Sequence, residues 1–290
     1  MTTAFVLSGG ANLGAMQVGM LRALAEEGVT PDVLVGTSAG ALNASFVAGR
    51  GLTVDVADEL GEIWRGLSTW SLFPPSPRRI VGALFGRRTA LFGDHGLRSL
   101  IEDHLAFECI EDSPIPLTVV ATDLLSGDEV DIDAGPALEA ILASSAIPGL
   151  LPPVERAGRL LVDGGIADNT AISRPVSRGV DTIYVLPCGY PCALAEPPAG
   201  VASTLLHTMT LLIHKRLVRD IREYSDDAEL IVVPPPCPLT VGALDFSRAD
   251  ELIVRGYESA RAFLSVDGGR RASPADTVDV HPHGADCRTE

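Results

Sequence analysis

The N-terminal part of the chain alternates between short apolar runs and longer segments with helical periodicity. Residues 4–7 and 33–35 are apolar runs of strand length, whereas 15–27 and 41–48 carry apolar residues at helical spacing. A glycine-rich loop, 9–14, separates the first strand from the first helix. A strand–helix–strand–helix order predicts a parallel sheet that is covered by helices on both faces. The expected fold class is therefore α/β.

The rest of the chain continues this alternation. Further strands are expected at 117–121, 129–132, 160–162, 182–186 and 229–233, and further helices at 136–143, 201–224 and 248–264. The proline-containing stretches 187–198 and 234–238 are expected to be loops. Apolar periodicity stops at residue 267, which predicts one domain over 1–266 and a mobile C-terminal tail over 267–290.

The second strand leads into a G-x-S-x-G sequence, Gly36-Thr37-Ser38-Ala39-Gly40, and an apolar helix follows. A strand, a sharp turn and a helix in this order are typical of a nucleophile elbow, which holds its serine in a strained backbone conformation. Flanking glycines such as Gly36 and Gly40 remove the side chains that would collide in that turn. Ser38 is therefore the candidate nucleophile. The structural alternative is an ordinary glycine-rich turn with a capping serine.

The loop after the first strand consists of small residues, Ser8-Gly9-Gly10-Ala11-Asn12-Leu13-Gly14. Backbone N–H groups of such a loop can converge on a phosphate or an oxyanion. A dinucleotide-binding loop fits less well, because Ala11 replaces the middle glycine and no acidic ribose partner follows the second strand. Both glycine-rich loops follow adjacent parallel strands, so they should meet at the carboxyl edge of the sheet. An oxyanion loop beside a nucleophile explains the pair.

A serine nucleophile needs a proton acceptor. None of the six histidines follows a glycine-marked strand; they are His95, His104, His207, His214, His281 and His283. The strand at 160–162 instead runs into Asp163-Gly164-Gly165, which places a carboxylate at a strand end. An aspartate, whose usual pKa is about 3.9, can act as a base when it is partly desolvated and aimed at the hydroxyl. Asp163 is therefore the candidate base, with a turn aspartate as the structural alternative.

Together these motifs resemble those of the patatin-like phospholipases. The resemblance covers about residues 4–190 and includes Gly9-Gly10-Ala11-Asn12-Leu13-Gly14 as the oxyanion loop, Gly36-Thr37-Ser38-Ala39-Gly40 as the elbow and Asp163-Gly164-Gly165 as the aspartate motif. The stretches 121–124 and 143–149 also look like bacterial members. The resemblance implies a three-layer α/β/α sandwich with a mainly parallel central sheet. It also implies a Ser38–Asp163 dyad without histidine, and hydrolysis of acyl esters of lipids with no metal and no cofactor.

The chain departs from the family pattern inside the oxyanion loop. Leu13 stands where the family usually carries Arg or Lys, and Ala11 replaces a glycine. Backbone donors survive both changes, whereas the positive charge is absent. One alternative is therefore a catalytically weak lipid-binding or regulatory protein. Another is an α/β-hydrolase with a Ser–Asp–His triad that uses His207 or His214, although several strands normally precede the nucleophile in that fold and here only one does.

The composition narrows the partners. A net charge of −16 argues against a nucleic-acid partner, so the expected partner is a lipid or acyl-ester substrate. No signal peptide and no apolar stretch of about 18 residues is recognised, which predicts a cytoplasmic protein with peripheral membrane contact as an option. Five scattered cysteines suit a reducing compartment, and the spacing of Cys188 and Cys192 is weak evidence for a metal.

One segment, 63–93, differs in charge from the rest of the chain. It contains no Asp or Glu, so its five arginines give it a charge of +5, and it holds both tryptophans and three phenylalanines. The residues are Arg65, Arg78, Arg79, Arg87, Arg88, Trp64, Trp70, Phe73, Phe85 and Phe92. This combination is typical of a lid or lipid-interface segment. The alternative is a loop whose aromatic residues pack on the domain and whose arginines pair with its carboxylates.

Overall fold

The computed structural model describes residues 1–189, 200–239, 241–270 and 273–278. Over these residues eight strands form one sheet. The strands are β1 (Thr3–Leu7), β2 (Val33–Thr37), β3 (Leu117–Asp123), β4 (Glu129–Ile132), β5 (Val154–Arg156), β6 (Arg159–Asp163), β7 (Thr182–Leu186) and β8 (Glu229–Val232). The helices are α1 (Ala15–Glu26), α2 (Ala39–Arg50), α3 (Val54–Gly66), α4 (Thr69–Leu72), α5 (Pro77–Leu84), α6 (His95–His104), α7 (Ala137–Ser144), α8 (Ser173–Ser177), α9 (Val201–Tyr224) and α10 (Ala249–Leu264).

The sheet combines a parallel centre with an antiparallel side. The strand order is β5-β6-β3-β2-β1-β7-β8, and β4 also pairs with β3. Strands β3, β2, β1, β7 and β8 run parallel, whereas β4, β5 and β6 pair antiparallel to their neighbours. In this order β2 lies next to both β1 and β3. The loops that follow β1 and β2 therefore lie side by side at the carboxyl edge of the sheet.

The strands contribute side chains to two hydrophobic clusters, one on each face of the sheet. In β1, Phe5 and Leu7 pack into the first cluster, whereas Ala4 and Val6 pack into the second. This alternation follows from the two-residue period of a strand. Helices α1, α2, α3, α6, α7 and α10 cover the first face, and α8 and α9 cover the second. The expected three-layer α/β/α sandwich with a mainly parallel sheet is therefore confirmed.

Most of the predicted elements are confirmed, several with the predicted bounds. Strands β4 and β7 and the long helix α9 begin and end at the predicted residues. Helix α2 was expected from residue 41 but begins at Ala39, because the sharp turn at Ser38 already directs the chain into the helix. Strand β5 and helices α3 to α6 and α8 were not predicted. Strand β5 and helices α4, α5 and α8 are short. Helix α3 does carry apolar residues at helical spacing, Ala57, Leu60 and Trp64, so the prediction missed a signal that is present in the sequence.

The C-terminal segment continues the packed structure beyond the predicted domain boundary at residue 266. Residues 267–269 and 276–278 form short 3-10 turns, and Val278 is fully buried in the second cluster. Ala275 of the same segment also packs against this cluster, although the segment lacks any periodic apolar pattern. The remainder of the predicted tail, 279–290, lies outside the described residues.

None of the helices in the described part of the chain combines the length and the apolarity that crossing a bilayer requires.

Candidate active site

The turn between β2 and α2 holds Ser38 in a backbone conformation that non-glycine residues rarely adopt, with φ of 53° and ψ of −122°. Its flanking glycines are required sterically. A Cβ on Gly36 would lie 2.6 Å from Ala41 Cα, and one on Gly40 would lie 2.1 Å from the carbonyl oxygen of Leu7. The backbone therefore has the strained strand–turn–helix geometry that the G-x-S-x-G pattern predicts.

The side chain of Ser38 lies against Asp163. Ser38 Oγ donates a hydrogen bond to Asp163 Oδ2 at 2.6 Å, although 125 residues separate them in the chain. The sheet creates this contact, because β6 pairs with β3 and places Asp163 opposite Ala121 at the edge where Ser38 emerges. The Thr122 hydroxyl donates to the Asp163 carbonyl oxygen at 2.9 Å and fixes the end of β6.

Both side chains are largely shielded from water, with exposed fractions of 5% for Ser38 and 8% for Asp163. Burial raises the pKa of Asp163 from its ordinary value near 3.8 to about 6, and hydrogen bonds from Ser38 and from the N–H of Gly165 oppose that rise. The Gly165 N–H donates to Asp163 Oδ1 at 2.8 Å, so each carboxylate oxygen accepts one hydrogen bond. A group with a pKa near 6 can accept a proton at neutral pH and return it later.

The direct Ser38–Asp163 contact leaves no position for a histidine between them. His207 and His214 lie on α9, and within the described residues neither forms a hydrogen bond with Ser38 or Asp163. His95 and His104 lie at the two ends of α6. The remaining two histidines, His281 and His283, lie outside the described residues.

The glycine-rich loop 9–14 lies beside Ser38. A Cβ on Gly9 would lie 3.0 Å from Ser38 Cβ, and Gly14 is close enough to α2 that a Cβ there would lie 2.7 Å from Ala39 Cβ. A Cβ on Gly10 would meet Cys188 at 2.3 Å. The loop therefore approaches the elbow closely because its glycines lack side chains.

Only some of the loop's N–H groups are used within the described structure. Gly9 donates to the Asn169 carbonyl, Asn12 to the Ala243 carbonyl and Leu13 to the Gly10 carbonyl. The N–H groups of Gly10 and Ala11 donate to no acceptor among the described residues. Ala11 also has a φ of 49°, a left-handed value that explains why a glycine can occupy this position.

The side chains of Asn12 and Leu13 have structural rather than catalytic partners. Asn12 is fully buried, and its amide donates to the Asp245 carbonyl at 2.5 Å, which ties the loop to the chain that precedes α10. Leu13 is half-buried and packs against the first hydrophobic cluster. The missing positive charge at this position is thus replaced by apolar packing.

Two residues that support the site, Ser144 and Asn169, were not predicted as site residues. Ser144 Oγ accepts from the Ser38 N–H at 2.8 Å, and Asn169 Nδ2 donates to the Gly9 carbonyl at 3.2 Å. Ser144 lies within the stretch 143–149 that contributed to the family resemblance, so a signal for it existed. Asn169 follows the Asp163-Gly164-Gly165 motif by four residues. A Cβ on Gly164 would lie 2.2 Å from the Val120 carbonyl oxygen, which explains the glycine there.

An apolar cavity opens next to Ser38 between α2, α3, α6 and the loop that follows α7. The space between its lining atoms amounts to about 440 Å³ when the adjoining open solvent is included. Ser38 and Ala11 line one end, and Phe73, Leu97 and Leu151 are among its apolar walls. This space, called the Ser38 cavity below, places apolar surface directly beside the candidate nucleophile and the two unused N–H groups.

A second buried carboxylate lies five residues beyond Asp163. Asp168 Oδ2 forms an ion pair with Arg216 at 2.8 Å, and the Thr170 N–H donates to Asp168 Oδ1 at 2.9 Å. Arg216 also approaches Glu129 at 3.5 Å. Burial raises the pKa of Asp168 to about 6 as well, against the attraction of Arg216. The Thr37 hydroxyl donates to the Asp168 carbonyl oxygen at 3.2 Å, and this hydrogen bond connects the ion-pair cluster to the elbow.

The cysteines do not form a described metal site. Cys188 is buried and its Sγ contacts the Ser8 carbonyl oxygen at 3.3 Å; burial raises the pKa of this thiol to about 12. Cys192, the other half of the C-x3-C spacing, lies outside the described residues. No group of three or more metal-ligating side chains occurs within the described ranges. Cys237 is disulfide-bonded, which does not fit the reducing compartment that the odd and scattered cysteines suggested, because disulfides persist mainly in oxidising environments.

The segment 63–93 divides into a buried part and an exposed part. Trp64 and Phe73 line the Ser38 cavity, whereas Trp70 and Phe85 are exposed by 68% and 76%. Arg65 pairs with Glu62 and Asp250. The other four arginines form no ion pair with a carboxylate of the described chain; they are Arg78, Arg79, Arg87 and Arg88. The packed-loop interpretation therefore describes Trp64, Arg65 and Phe73, and it does not describe the exposed part of the segment.

Comparison with known proteins gives a consistent set of relatives. A family model described as patatin-like phospholipase matches residues 5–175. A protein named lysophospholipase nte1, from Neurospora crassa, is 29% identical over 287 residues, which cover 89% of this chain and 18% of that protein. An uncharacterised NTE family protein from Mycobacterium bovis is 35% identical over 166 residues, covering 57% of this chain and 43% of that protein.

The chain thus spans about a fifth of the length of the fungal relatives that it matches. Among solved structures, human GIVD cytosolic phospholipase A2 in complex with methyl gamma-linolenyl fluorophosphonate aligns with a TM-score of 0.43 and 12% identity, over 96% of this chain and 60% of that chain. VipD from Legionella pneumophila aligns with a TM-score of 0.42 and 15% identity, over 91% of this chain and 66% of that chain.

Proposed function

Because the chain belongs to the patatin-like phospholipase family, we propose that it hydrolyses acyl esters of lipids through a dyad of Ser38 as nucleophile and Asp163 as base. The observation that carries the proposal is the 2.6 Å hydrogen bond from Ser38 Oγ to Asp163 Oδ2. It lies beside two N–H groups that have no acceptor within the described chain and beside an apolar cavity. A nucleophile, a base, oxyanion donors and an acyl site are what ester hydrolysis requires.

In the first half of the reaction Ser38 Oγ attacks the carbonyl carbon of the ester, and the hydroxyl proton moves to Asp163 Oδ2. The carbonyl electrons move onto oxygen, and the N–H groups of Gly10 and Ala11 stabilise the resulting oxyanion. Collapse of this intermediate reforms the carbonyl and breaks the bond to the alcohol. The alcohol leaves with the proton from Asp163, and the acyl group stays on Ser38.

In the second half a water molecule attacks the acyl group on Ser38 and gives its proton to Asp163. Collapse of the second oxyanion releases the fatty acid, and the proton on Asp163 returns to Ser38 Oγ. Asp163 thus accepts and donates one proton in each half, a task suited to a carboxyl with a pKa of about 6. The glycines of the three motifs, Gly36, Gly40, Gly164 and Gly165 among them, hold the backbone in the required approach.

The proposed substrate is a lipid with one acyl chain presented to the Ser38 cavity. The fungal relatives are named lysophospholipases, and the cavity beside Ser38 has an apolar lining suited to a single chain. The corresponding activity is that of a phospholipase A, a lysophospholipase or an esterase.

We add peripheral contact of the segment 63–93 with an anionic membrane. Four arginines of this segment have no carboxylate partner in the described chain, and the segment also exposes Trp70, Val81 and Phe85. Three of these arginines line one surface depression together with Val81. In a protein with a net charge of −16, unpaired arginines beside exposed apolar groups suit an anionic lipid surface. Trp64 and Phe73 of the same segment line the Ser38 cavity, so this surface would deliver lipid close to the dyad.

Labelling with a fluorophosphonate probe tests the reaction directly, since only an activated serine reacts. Wild type should be labelled at Ser38, Ser38→Ala should be unlabelled, and Asp163→Asn should be labelled far more slowly. An unlabelled wild type that still binds lipid would favour the catalytically weak lipid-binding or regulatory alternative, for which Leu13 is the motivating residue.

Vesicle co-sedimentation tests the membrane contact. Reversal of Arg78, Arg79, Arg87 and Arg88 to Glu should weaken binding to anionic vesicles at low salt by up to about a thousandfold, since each arginine contributes up to about 1 kcal/mol. Hydrolysis of a soluble ester should persist. The matched control reverses four exposed arginines outside the segment, Arg178, Arg219, Arg222 and Arg270, and makes the same change of net charge. Equal loss of binding in both variants, or salt-independent binding, would rule out the specific contact.

A further inference from the structure

A second apolar cavity lies behind the Ser38 cavity, between α2, α3 and α6. The space between its lining atoms also amounts to about 440 Å³ when the adjoining open solvent is included. Phe46, Ile63 and Leu105 line it and do not line the Ser38 cavity. The reaction proposed above makes no use of this space, although it lies within one side-chain layer of the candidate acyl site.

The two cavities share four lining side chains, which come from helices α2, α3 and α6 and from the residue that follows α3. These residues, called the wall below, line both cavities and are Leu42, Trp64, Leu67 and Leu100. Leu42 is four residues beyond Ser38, and its N–H donates to the Ser38 carbonyl at 3.2 Å. The wall is therefore built directly onto the elbow helix, and its position relative to the nucleophile is fixed.

Trp64 is the rigid member of the wall. Its Nε1 donates to Asn43 Oδ1 at 2.8 Å, and its ring is stacked nearly parallel to Phe246, with 6.3 Å between the ring centroids. The ring also approaches Gly14 so closely that a Cβ there would lie 2.9 Å from it. These contacts leave the indole one orientation.

The leucines of the wall are held less firmly. Leu42, Leu67 and Leu100 are half-buried, whereas Trp64 is buried. Their side chains make apolar contacts only, so no hydrogen bond fixes their rotamers. Shortening one of these leucines would therefore remove part of the layer between the two cavities.

Resting on the function proposed above, we propose that this wall determines the longest acyl chain that the site accepts. An acyl chain that enters from Ser38 fills the Ser38 cavity, and its methyl end stops against the wall. Longer chains must leave part of their length in water and gain no further binding from it. Because the second cavity is apolar, opening the wall allows a longer chain to continue into it and to bury additional methylene groups.

The test measures kcat/KM for p-nitrophenyl esters with butyryl, octanoyl, dodecanoyl and hexadecanoyl chains. In wild type, kcat/KM should rise with chain length and then stop rising. In Leu100→Ala and in Leu67→Ala, the ratio of the hexadecanoyl to the octanoyl value should rise by about tenfold or more, the effect of burying two further methylene groups.

Two further variants make the result specific to the wall. Leu105→Ala removes the same atoms from a half-buried leucine that lines only the second cavity, and its ratio should equal that of wild type. Adding Ile63→Trp to Leu100→Ala refills the second cavity and should abolish the gain. Thermal melts identify any variant that fails to fold. For such a variant, Leu100→Val or Leu67→Val supplies the same comparison with a smaller expected shift.

Failure of the proposed reaction and failure of this inference give different results. If wild type does not hydrolyse even the butyryl ester, the proposed function is wrong, and the wall is then tested by calorimetric binding of free fatty acids to Ser38→Ala with and without Leu100→Ala. Preferential gain of affinity for hexadecanoic over octanoic acid upholds the wall. An unchanged ratio in both leucine variants, or an equal gain in Leu105→Ala, overturns it.

Discussion

Two buried aspartates, Asp163 and Asp168, lie on either side of one turn, and their partners differ in charge. Burial raises the pKa of both to about 6. Asp168 faces a cation, because Arg216 pairs with it at 2.8 Å. Among the described residues, the Asp163 carboxylate accepts hydrogen bonds from the Ser38 hydroxyl and the Gly165 N–H, and no cation pairs with it. The pKa alone therefore does not distinguish a candidate base from an aspartate that holds the structure together.

The two aspartates differ in the groups with which their carboxylates can exchange a proton. Asp168 is bound by Arg216 and Thr170, and its backbone carbonyl holds the Thr37 hydroxyl beside the elbow. Asp163 is in contact with a hydroxyl that also borders an open cavity. A perturbed carboxyl becomes a functional candidate when a reactive group and a substrate space adjoin it.

The largest expected effect separates the two aspartates by activity. Asp163→Asn should lower kcat/KM for a soluble ester by about a thousandfold or more, whereas Asp168→Asn should retain it within about tenfold. Ser38→Ala should match Asp163→Asn, and the double variant should be little worse than either, because the two groups act as one unit.

The controls for this comparison are the two histidines of α9. His207→Ala and His214→Ala should retain most of the rate. A thousandfold loss in either would replace the dyad by a Ser–Asp–His triad, and a thousandfold loss in Asp168→Asn would remove the distinction between the two aspartates.

The second prediction concerns pH. If Asp163 must be ionised to accept the Ser38 proton, kcat/KM should fall about tenfold per pH unit below its pKa of about 6 and level off above it. Asp168→Asn should leave this inflection in place, because Asp168 is not among the groups that shift the pKa of Asp163. A rate profile that is flat between about pH 5 and about pH 8 would contradict the role of Asp163.

The third prediction concerns stability. The folded-state pKa of Asp163 lies above its ordinary value, so wild type loses stability as pH rises from about 4 through about 6. Asp163→Asn avoids this loss and should raise the free energy of unfolding at about pH 8 by about 1–3 kcal/mol, with no gain at about pH 4. The gain for Asp168→Asn should be smaller, since it deprives Arg216 of a partner. Urea denaturation at both pH values measures it, and a destabilised Asp163→Asn at about pH 8 would contradict the account.

The smallest expected effect concerns the oxyanion loop. Leu13→Arg restores the charge of the family pattern, yet the proposed oxyanion donors are the backbone N–H groups of Gly10 and Ala11. Activity on a short activated ester should therefore stay within about tenfold of wild type, or rise. Wild type that is inactive while Leu13→Arg is active would favour the regulatory alternative.

The sequence could predict much of the fold because a buried parallel strand, a glycine turn and an apolar helix each leave a local pattern. Strands β4 and β7 and helix α9 have the predicted bounds. Strand β5 and helices α4, α5 and α8 span eight residues or fewer, and such short elements form through packing on neighbours rather than through their own periodicity. Helices α3 and α6 are different. In α3, Ala57, Leu60 and Trp64 recur at helical spacing after the capping residue Thr53, so the sequence carried a signal that the prediction missed. The burial of Val278 is another contact that no local pattern announces.

For the candidate site, the sequence by itself selected Ser38, Asp163 and the loop 9–14, because a strained turn and close backbone approach require glycines that can be read from the chain. The tertiary structure decided the rest. It brought Ser38 and Asp163 together across 125 residues through the pairing of β3 with β6. It also showed which N–H groups of the loop 9–14 already have an acceptor in the described chain and which two, those of Gly10 and Ala11, do not. Within the described part of the chain it also gave Asp168 a cation and Asp163 none, a difference that arises only when separate helices and strands meet in space.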